Sequence, residues 1–146
     1  MLKPFLFACA TRAAQFLLSR MGPDSRRVFC ESLSSAADMT KTVPTPCGDL
    51  RFHCPNEITA WRADSLFTKE PETIEWIDSM PKGAVLWDVG ANVGCYTLYA
   101  AKRGLRVLAF DPSAPNYWIL NSNMARNKMD GQATGECLAG ADLVGR

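Results

Sequence analysis

Two acids and two glycines stand at spacings able to hold a nucleoside. In Asp88-Val89-Gly90-Ala91-Asn92-Val93-Gly94, the glycines allow a sharp turn and close approach of a ligand to the backbone. Asp111 lies 23 residues after Asp88 (111 minus 88), where its carboxylate can accept hydrogen bonds from both hydroxyls of a ribose. The spacing also separates kinds of nucleoside. A dinucleotide fingerprint, G-x-G-x-x-G, counted from Gly90 requires glycine at positions 92 and 95, which are Asn92 and Cys95. The second glycine of that pattern lets backbone touch a pyrophosphate, so its absence argues against dinucleotides. No G-K-[ST] follows the loop, which excludes a phosphate-cradling P-loop.

The elements that must position these residues are legible from periodicity. Ala84-Val85-Leu86-Trp87 is a continuous apolar run, the pattern of a buried parallel strand, directly before the loop. A helix is predicted over 95–103, with Cys95, Leu98 and Ala101 facing inward and Gly104 as its stop. A second strand, Arg106 to Phe110, ends at Asp111. Ser113 is placed to cap a third helix with Pro115 in its first turn and Tyr117, Leu120 and Met124 as its buried stripe. Ala133 to Leu138 reads as a weak third strand. Right-handed crossovers then give a parallel sheet in the order 3-2-1.

Upstream, Pro46-Cys47-Gly48-Asp49 is turn-like. Leu50, Phe52 and Cys54 alternate with Arg51 and His53 as in a half-buried strand, which puts His53 on the polar face. A helix is predicted from Pro71 to Met80, its apolar face being Ile74, Ile77 and Met80. Residues 22–41 are small and polar and read as a linker or a weak helix. The expected division is therefore 1–41, an N-terminal amphipathic helix and linker, and 42–146, the main domain.

The loop Asp88–Gly94, with Tyr96 two residues on, resembles the first motif of the FkbM-like methyltransferases. Ala109-Phe110-Asp111-Pro112, then Pro115, Asn116, Leu120, Asn123 and Asn127, is similar to that family's second motif and following helix, with Asp111 where the family usually has Glu. Phe67-Thr68-Lys69-Glu70-Pro71-Glu72-Thr73 is similar to its lead-in helix. The resemblance covers residues 44–146 and implies an α/β, Rossmann-like class I methyltransferase fold. It implies S-adenosylmethionine as cofactor, which has no phosphate and so suits a loop lacking the second glycine. It also implies methyl transfer to a hydroxyl oxygen of a small molecule or sugar. By analogy, Gly90, Ala91, Asn92, Val93 and Gly94 would lie against the methionine and ribose parts. Asp111, with Pro112 beside it, would bind the ribose diol. Asp88 would order the loop or meet the cofactor through water, and Glu70 would reach the site from the lead-in helix. Asn116 reads equally as a helix-start residue or a ligand contact. No residue sits in an acceptor motif, so no catalytic base is assigned.

A class I sheet has further strands, and Ala139–Gly145 resembles the turn after the third. The chain therefore reads as the N-terminal, cofactor-binding half of that fold, expected alone to bind cofactor weakly and turn over little. The alternative is a non-catalytic remnant or binding module.

Composition narrows the rest. A formal net charge of +1 gives no sign of a strongly basic surface and no N-P-P-Y type motif is present, which together disfavour a nucleic-acid acceptor. The six cysteines form no C-x-x-C pair and His53 is the sole histidine, so no metal site is expected. The cysteines read as reduced core residues of a cytoplasmic protein. Leu2, Phe5, Leu6, Cys9, Ala13, Phe16 and Leu17 recur at helical spacing among Lys3, Arg12 and Arg20. That helix could pack on the domain or fray from it, make peripheral membrane or targeting contacts through residues 1–21, or serve as a secretory signal. No apolar run is long enough to span a bilayer.

Overall fold

The computed structural model describes residues 2–36 and 39–138. The chain divides into two units, Met1–Asp38 and Met39–Arg146. Ala139–Gly145, expected as a turn, lies outside the described residues.

The first unit holds two helices, α1 (Leu2–Arg20) and α2 (Pro23–Ala36). Residues 23–36 are thus helix rather than linker: Pro23 opens α2 and Asp24 sits at its positive end. No helix among the described residues is long and apolar enough to cross a membrane.

The second unit opens with a hairpin in which β1 (Thr40–Val43) pairs antiparallel with β2 (Leu50–His53). Its turn closes where Gly48 N donates to Thr45 O at 3.0 Å, with Gly48 at φ 103°, a conformation that favours glycine. Next comes α3 (Glu57–Asp64), which periodicity did not predict, because Ile58 and Trp61 point to solvent. Asn56 sets it with a capping box: its side chain accepts from Thr59 N at 3.0 Å while its own N donates to Thr59 Oγ1 at 3.3 Å. Asn56→Ala is expected to cost about 1 kcal/mol, seen as a lower urea midpoint at unchanged slope. An ion pair between Lys41 and Asp64 ties α3 to the hairpin. In α4 (Pro71–Ser79), Ile74 and Ile77 are buried as expected. Asp78 at its end accepts from Tyr99 Oη at 2.8 Å and pairs with Arg103 Nε at 2.9 Å.

The remaining elements are β3 (Val85–Val89), α5 (Cys95–Lys102), β4 (Arg106–Phe110), α6 (Ala114–Arg126) and β5 (Ala133–Glu136). The three strands form a parallel sheet in the order β3-β4-β5, with Asp88 opposite Ala109 and Val89 opposite Phe110. One core cluster runs from Leu50 and Phe52 of the hairpin through Ile77, Leu86, Leu98, Tyr99 and Val107 to Leu120. Helix α5 is buried on more sides than its stripe predicts, since Thr97, Tyr99 and Ala100 join Leu98 and Ala101 inside.

Three expectations need correction. Strand β3 is buried on one face only: Leu86 is inside, but Val85 (53%), Trp87 (65%) and Val89 (68%) are exposed, and Trp87 lies against Phe110 with ring centroids 5.9 Å apart. The run is continuous because Leu86 faces the helices and its apolar neighbours face outward along the sheet edge. The cysteines are all free, yet Cys9, Cys30, Cys47 and Cys137 are exposed and only Cys54 and Cys95 are half-buried. Four of the six are therefore surface thiols, since helix faces and turns place them there. Ser113 occupies the N-cap of α6 but makes no side-chain cap bond; its backbone N donates to Asp111 Oδ1 instead. All four tryptophans, Trp61, Trp76, Trp87 and Trp118, are more than half exposed.

Candidate functional site

A cleft of about 250 Å³ opens at the carboxyl end of β3. Its floor is Asp88, Val89, Gly90, Ala91, Asn92 and Val93; Cys95 and Tyr96 of α5 continue it. The facing wall is Arg62 of α3, then Ser65, Leu66, Lys69 and Glu70 of the connection into α4, and Thr73 of α4 itself. Ligands of open α/β sheets bind at this end of the strands.

The loop holds its shape by spending four of its amides on acceptors within the protein. Gly90 N and Ala91 N both donate to Phe110 O, at 2.8 and 2.9 Å, and Gly94 N donates to Ala91 O at 2.8 Å. Asn92 N donates to Asp111 Oδ2 at 2.8 Å. Asn92 has φ 54°, in the left-handed region that asparagine tolerates better than most residues. It therefore holds a left-handed turn and adds a side chain to the cleft. The two glycines differ in role. Gly90 has φ 81°, and a Cβ there would meet nothing within 4 Å, so this position is open to a ligand. Gly94 has φ 85°, and a Cβ there would lie 2.5 Å from Leu120 Cδ1, so packing demands this glycine.

Asp111 is 4% exposed and does not line the cleft. Its Oδ2 accepts from Asn92 N, and its Oδ1 accepts from Ser113 N at 2.9 Å and Asn116 Nδ2 at 3.2 Å. Three of roughly four lone-pair sites on the carboxylate are thus spent inside the protein. The expected ribose-binding acid is the clamp that joins loop, strand end and helix start. Pro112 is exposed outside the cleft, and Asn116 acts as a helix-start donor to Asp111.

The acids that do face the cleft are Asp88 and Glu70. Asp88 Oδ2 accepts from Thr97 Oγ1 at 2.5 Å. Burial raises the Asp88 carboxyl above its ordinary value of 3.8, against the opposing pull of the Thr97 bonds. An acid raised in this way adds stability while protonated, below pH 3.8, and loses it as pH rises through its folded-state value. Asp88→Asn keeps an acceptor for Thr97 and removes that loss. The variant is expected to melt above the parent at pH 7 and level with it near pH 4, read by thermal melts across that range. Glu70 accepts from Lys69 Nζ at 2.7 Å and from Tyr96 Oη at 3.1 Å, and these bonds, Lys69's first, lower its carboxyl. The bond from α5 fixes Glu70 at the cleft rim. Burial, then the Glu70 hydrogen bond, raises the Tyr96 phenol. Burial pushes the Cys95 thiol up to about 12, so it is no nucleophile near neutral pH. Among the described residues no group of three or more His, Cys, Asp and Glu could hold a metal ion.

Of the sequence-derived set, Glu70, Asp88, Gly90, Ala91, Asn92 and Val93 meet in the cleft, while Gly94, Asp111 and Pro112 do not line it. Arg62, Ser65 and Leu66 went unread; their only signal was the Asn56-x-x-Thr59 cap that starts α3.

No protein-family model matches this chain. It is 40% identical over 68 residues to a tRNA (guanine(37)-N(1))-methyltransferase of Aedes aegypti, a match covering 47% of this chain and 12% of that protein. It is 47% identical over 49 residues to the AMB antimetabolite synthetase AmbE of Pseudomonas aeruginosa, covering 32% of this chain and 2% of that one. The matched segments are thus small parts of both relatives. Among solved structures it is similar to PH0793 of Pyrococcus horikoshii, which carries a provisional transferase name. The TM-score is 0.51 at 15% identity, over 75% of this chain and 40% of that one. The likeness is one of fold, an α/β arrangement with a three-stranded parallel sheet preceded by a hairpin.

Proposed function

We propose that this chain binds S-adenosylmethionine in the cleft above β3 and serves S-adenosylmethionine-dependent methyl transfer. The observation that carries the reading is the direction of the loop amides. Gly90, Ala91, Asn92 and Gly94 all spend their N–H groups inward, so a pyrophosphate would find none of these donors. What faces the cleft instead is an open glycine, two acids, Asp88 and Glu70, and two cations, Arg62 and Lys69, a mixture suited to a zwitterionic ligand that also carries a further positive charge. The residues present therefore fit this cofactor. Gly90 to Val93 would form its floor, Asp88 and Glu70 would face its sulfonium and ammonium charges, and Asn92 would offer amide contacts. When bound, it supplies a methyl group already activated by the neighbouring positive sulfur. The chain's part is alignment and exclusion of water.

The FkbM-like motifs support a hydroxyl oxygen of a small molecule or sugar as the acceptor. The Aedes aegypti match supports a second reading, an RNA acceptor. Six free cysteines go with a reducing, cytoplasmic setting.

Calorimetric titration of the folded chain with S-adenosylmethionine, and separately with NAD, tests the cofactor. Micromolar binding of the former alone is expected, weakening as pH falls through the raised Asp88 value because a protonated Asp88 no longer attracts a cation. Equal binding of NAD, or no binding by a folded sample, would sink the reading. Transfer of labelled methyl to sugars, small alcohols and bulk tRNA then separates the two acceptors.

A further inference from the structure

Helix α6 and its C-cap carry two asparagines one turn apart, Asn123 and Asn127, and both reach strand β2. That strand pairs with β1 on one side. On the other, Asn127 Oδ1 accepts from Arg51 N at 2.9 Å and Asn127 Nδ2 donates to Arg51 O at 2.7 Å. These are the two bonds that a neighbouring strand would make. Asn123 begins the same way, its Oδ1 accepting from His53 N at 2.6 Å. Its other half does something different: Asn123 Nδ2 donates to Val93 O at 2.7 Å. With an N–H on one side and a carbonyl on the other, one orientation of the amide satisfies both.

Val93 belongs to the floor of the cleft and stands between two left-handed residues, Asn92 at φ 54° and Gly94 at φ 85°. The loop is therefore pinned from two buried sides. Asp111 takes the Asn92 amide, and Asn123, 0% exposed, takes the Val93 carbonyl. Only the second pin also holds the hairpin. We infer that Asn123 is a positioning residue whose amide couples the inner edge of β2 to the ligand-binding loop, so that displacing β2 loosens the loop. Its bearing on cofactor affinity rests on the reading above; the coupling itself belongs to the ligand-free chain.

Asn127 supplies the internal control, since it holds the same strand from the same helix and makes no bond to the loop. Asn123→Asp keeps an acceptor for His53 N and removes the donor to Val93 O. Asn127→Asp likewise keeps the Arg51 N bond and removes the donor to Arg51 O and to the Asn123 carbonyl. Amide hydrogen exchange of the full chain without ligand reads both, with the β4 amides as reference for global opening. Asn123→Asp is expected to speed exchange at Asn92 and Gly94 at least tenfold beyond any change at β4. Asn127→Asp is expected to leave those two amides within twofold of the β4 change while speeding Arg51. Should Asn123→Asp not fold, Asn123→Ser, shorter and uncharged, carries the same comparison. Calorimetry with S-adenosylmethionine adds a second readout: affinity falls at least tenfold in the Asn123 variant and stays within threefold in the Asn127 variant. An unaltered loop in the Asn123 variants, or the same loop exchange in both series, overturns the coupling. A parent chain that binds no S-adenosylmethionine overturns the cofactor reading alone, because exchange still decides the coupling.

Discussion

Replacing Asp111 with alanine is expected to remove about 3–5 kcal/mol of stability and to abolish ligand binding in the same stroke. The carboxylate accepts from Asn92 N, Ser113 N and Asn116 Nδ2. Hydrogen bonds to a charged group contribute about 1.5–3 kcal/mol each and do not add fully, because the three share one acceptor group. Domains are stable by only about 5–15 kcal/mol, so the variant sits near its unfolding threshold at room temperature. Asp111→Asn is expected to fall between the two. It keeps one oxygen and sets an NH₂ group against either the Asn92 amide or the Ser113 amide. Urea unfolding followed by circular dichroism, run beside calorimetry, separates the clamp from a ligand contact. An exposed ligand contact changes stability by about 0.5 kcal/mol or less when truncated. If Asp111→Ala lost binding at parental stability, Asp111 would be a ribose ligand and not the clamp described here.

Gly94→Ala is expected to cost about 2–5 kcal/mol, and Gly90→Ala far less stability but much of the ligand affinity. Both glycines are left-handed, at φ 85° and 81°, and an alanine in that region costs about 1–2 kcal/mol. Only at Gly94 does a Cβ collide, 2.5 Å from Leu120 Cδ1 and 3.0 Å from Leu98 Cδ1. Both leucines are fully buried, so neither can swing aside without disturbing the α5–α6 packing, and overpacking of that kind adds about 1–3 kcal/mol. At Gly90 the methyl group meets no protein atom. A urea midpoint for Gly94→Ala no lower than that of Gly90→Ala would disprove this division of labour.

Strands β3 and β4 were legible because each is a short apolar run between turn residues, and α5 and α6 because each carries a periodic apolar stripe; a parallel sheet of such units has few arrangements. Helix α3 was not, since its outward side carries Ile58 and Trp61 and its existence depends on a cap made by Asn56 and Thr59. The place of Asp111 at the end of β4 was readable too. Its hydrogen bonds within the chain were not: a sequence puts an acid beside a loop without telling which amides fold back upon it. The packing constraint at Gly94 was hidden for a similar reason, as glycines kept for φ, for packing or for a ligand look alike in a string of letters. The wall formed by Arg62, Ser65 and Leu66 depends on α3 meeting the loop across the sheet end, a contact spanning about thirty positions of chain.

The surface tryptophans have an optical consequence. Trp61, Trp76, Trp87 and Trp118 are all more than half exposed, and the chain has four in total. Their indoles already sit largely in water, so emission from the folded chain should lie close to that of the unfolded one. Folding is nearly silent in this signal. Anything that comes to cover Trp87 beside Phe110 is not, because an indole moved from water into an apolar contact shifts its emission to the blue.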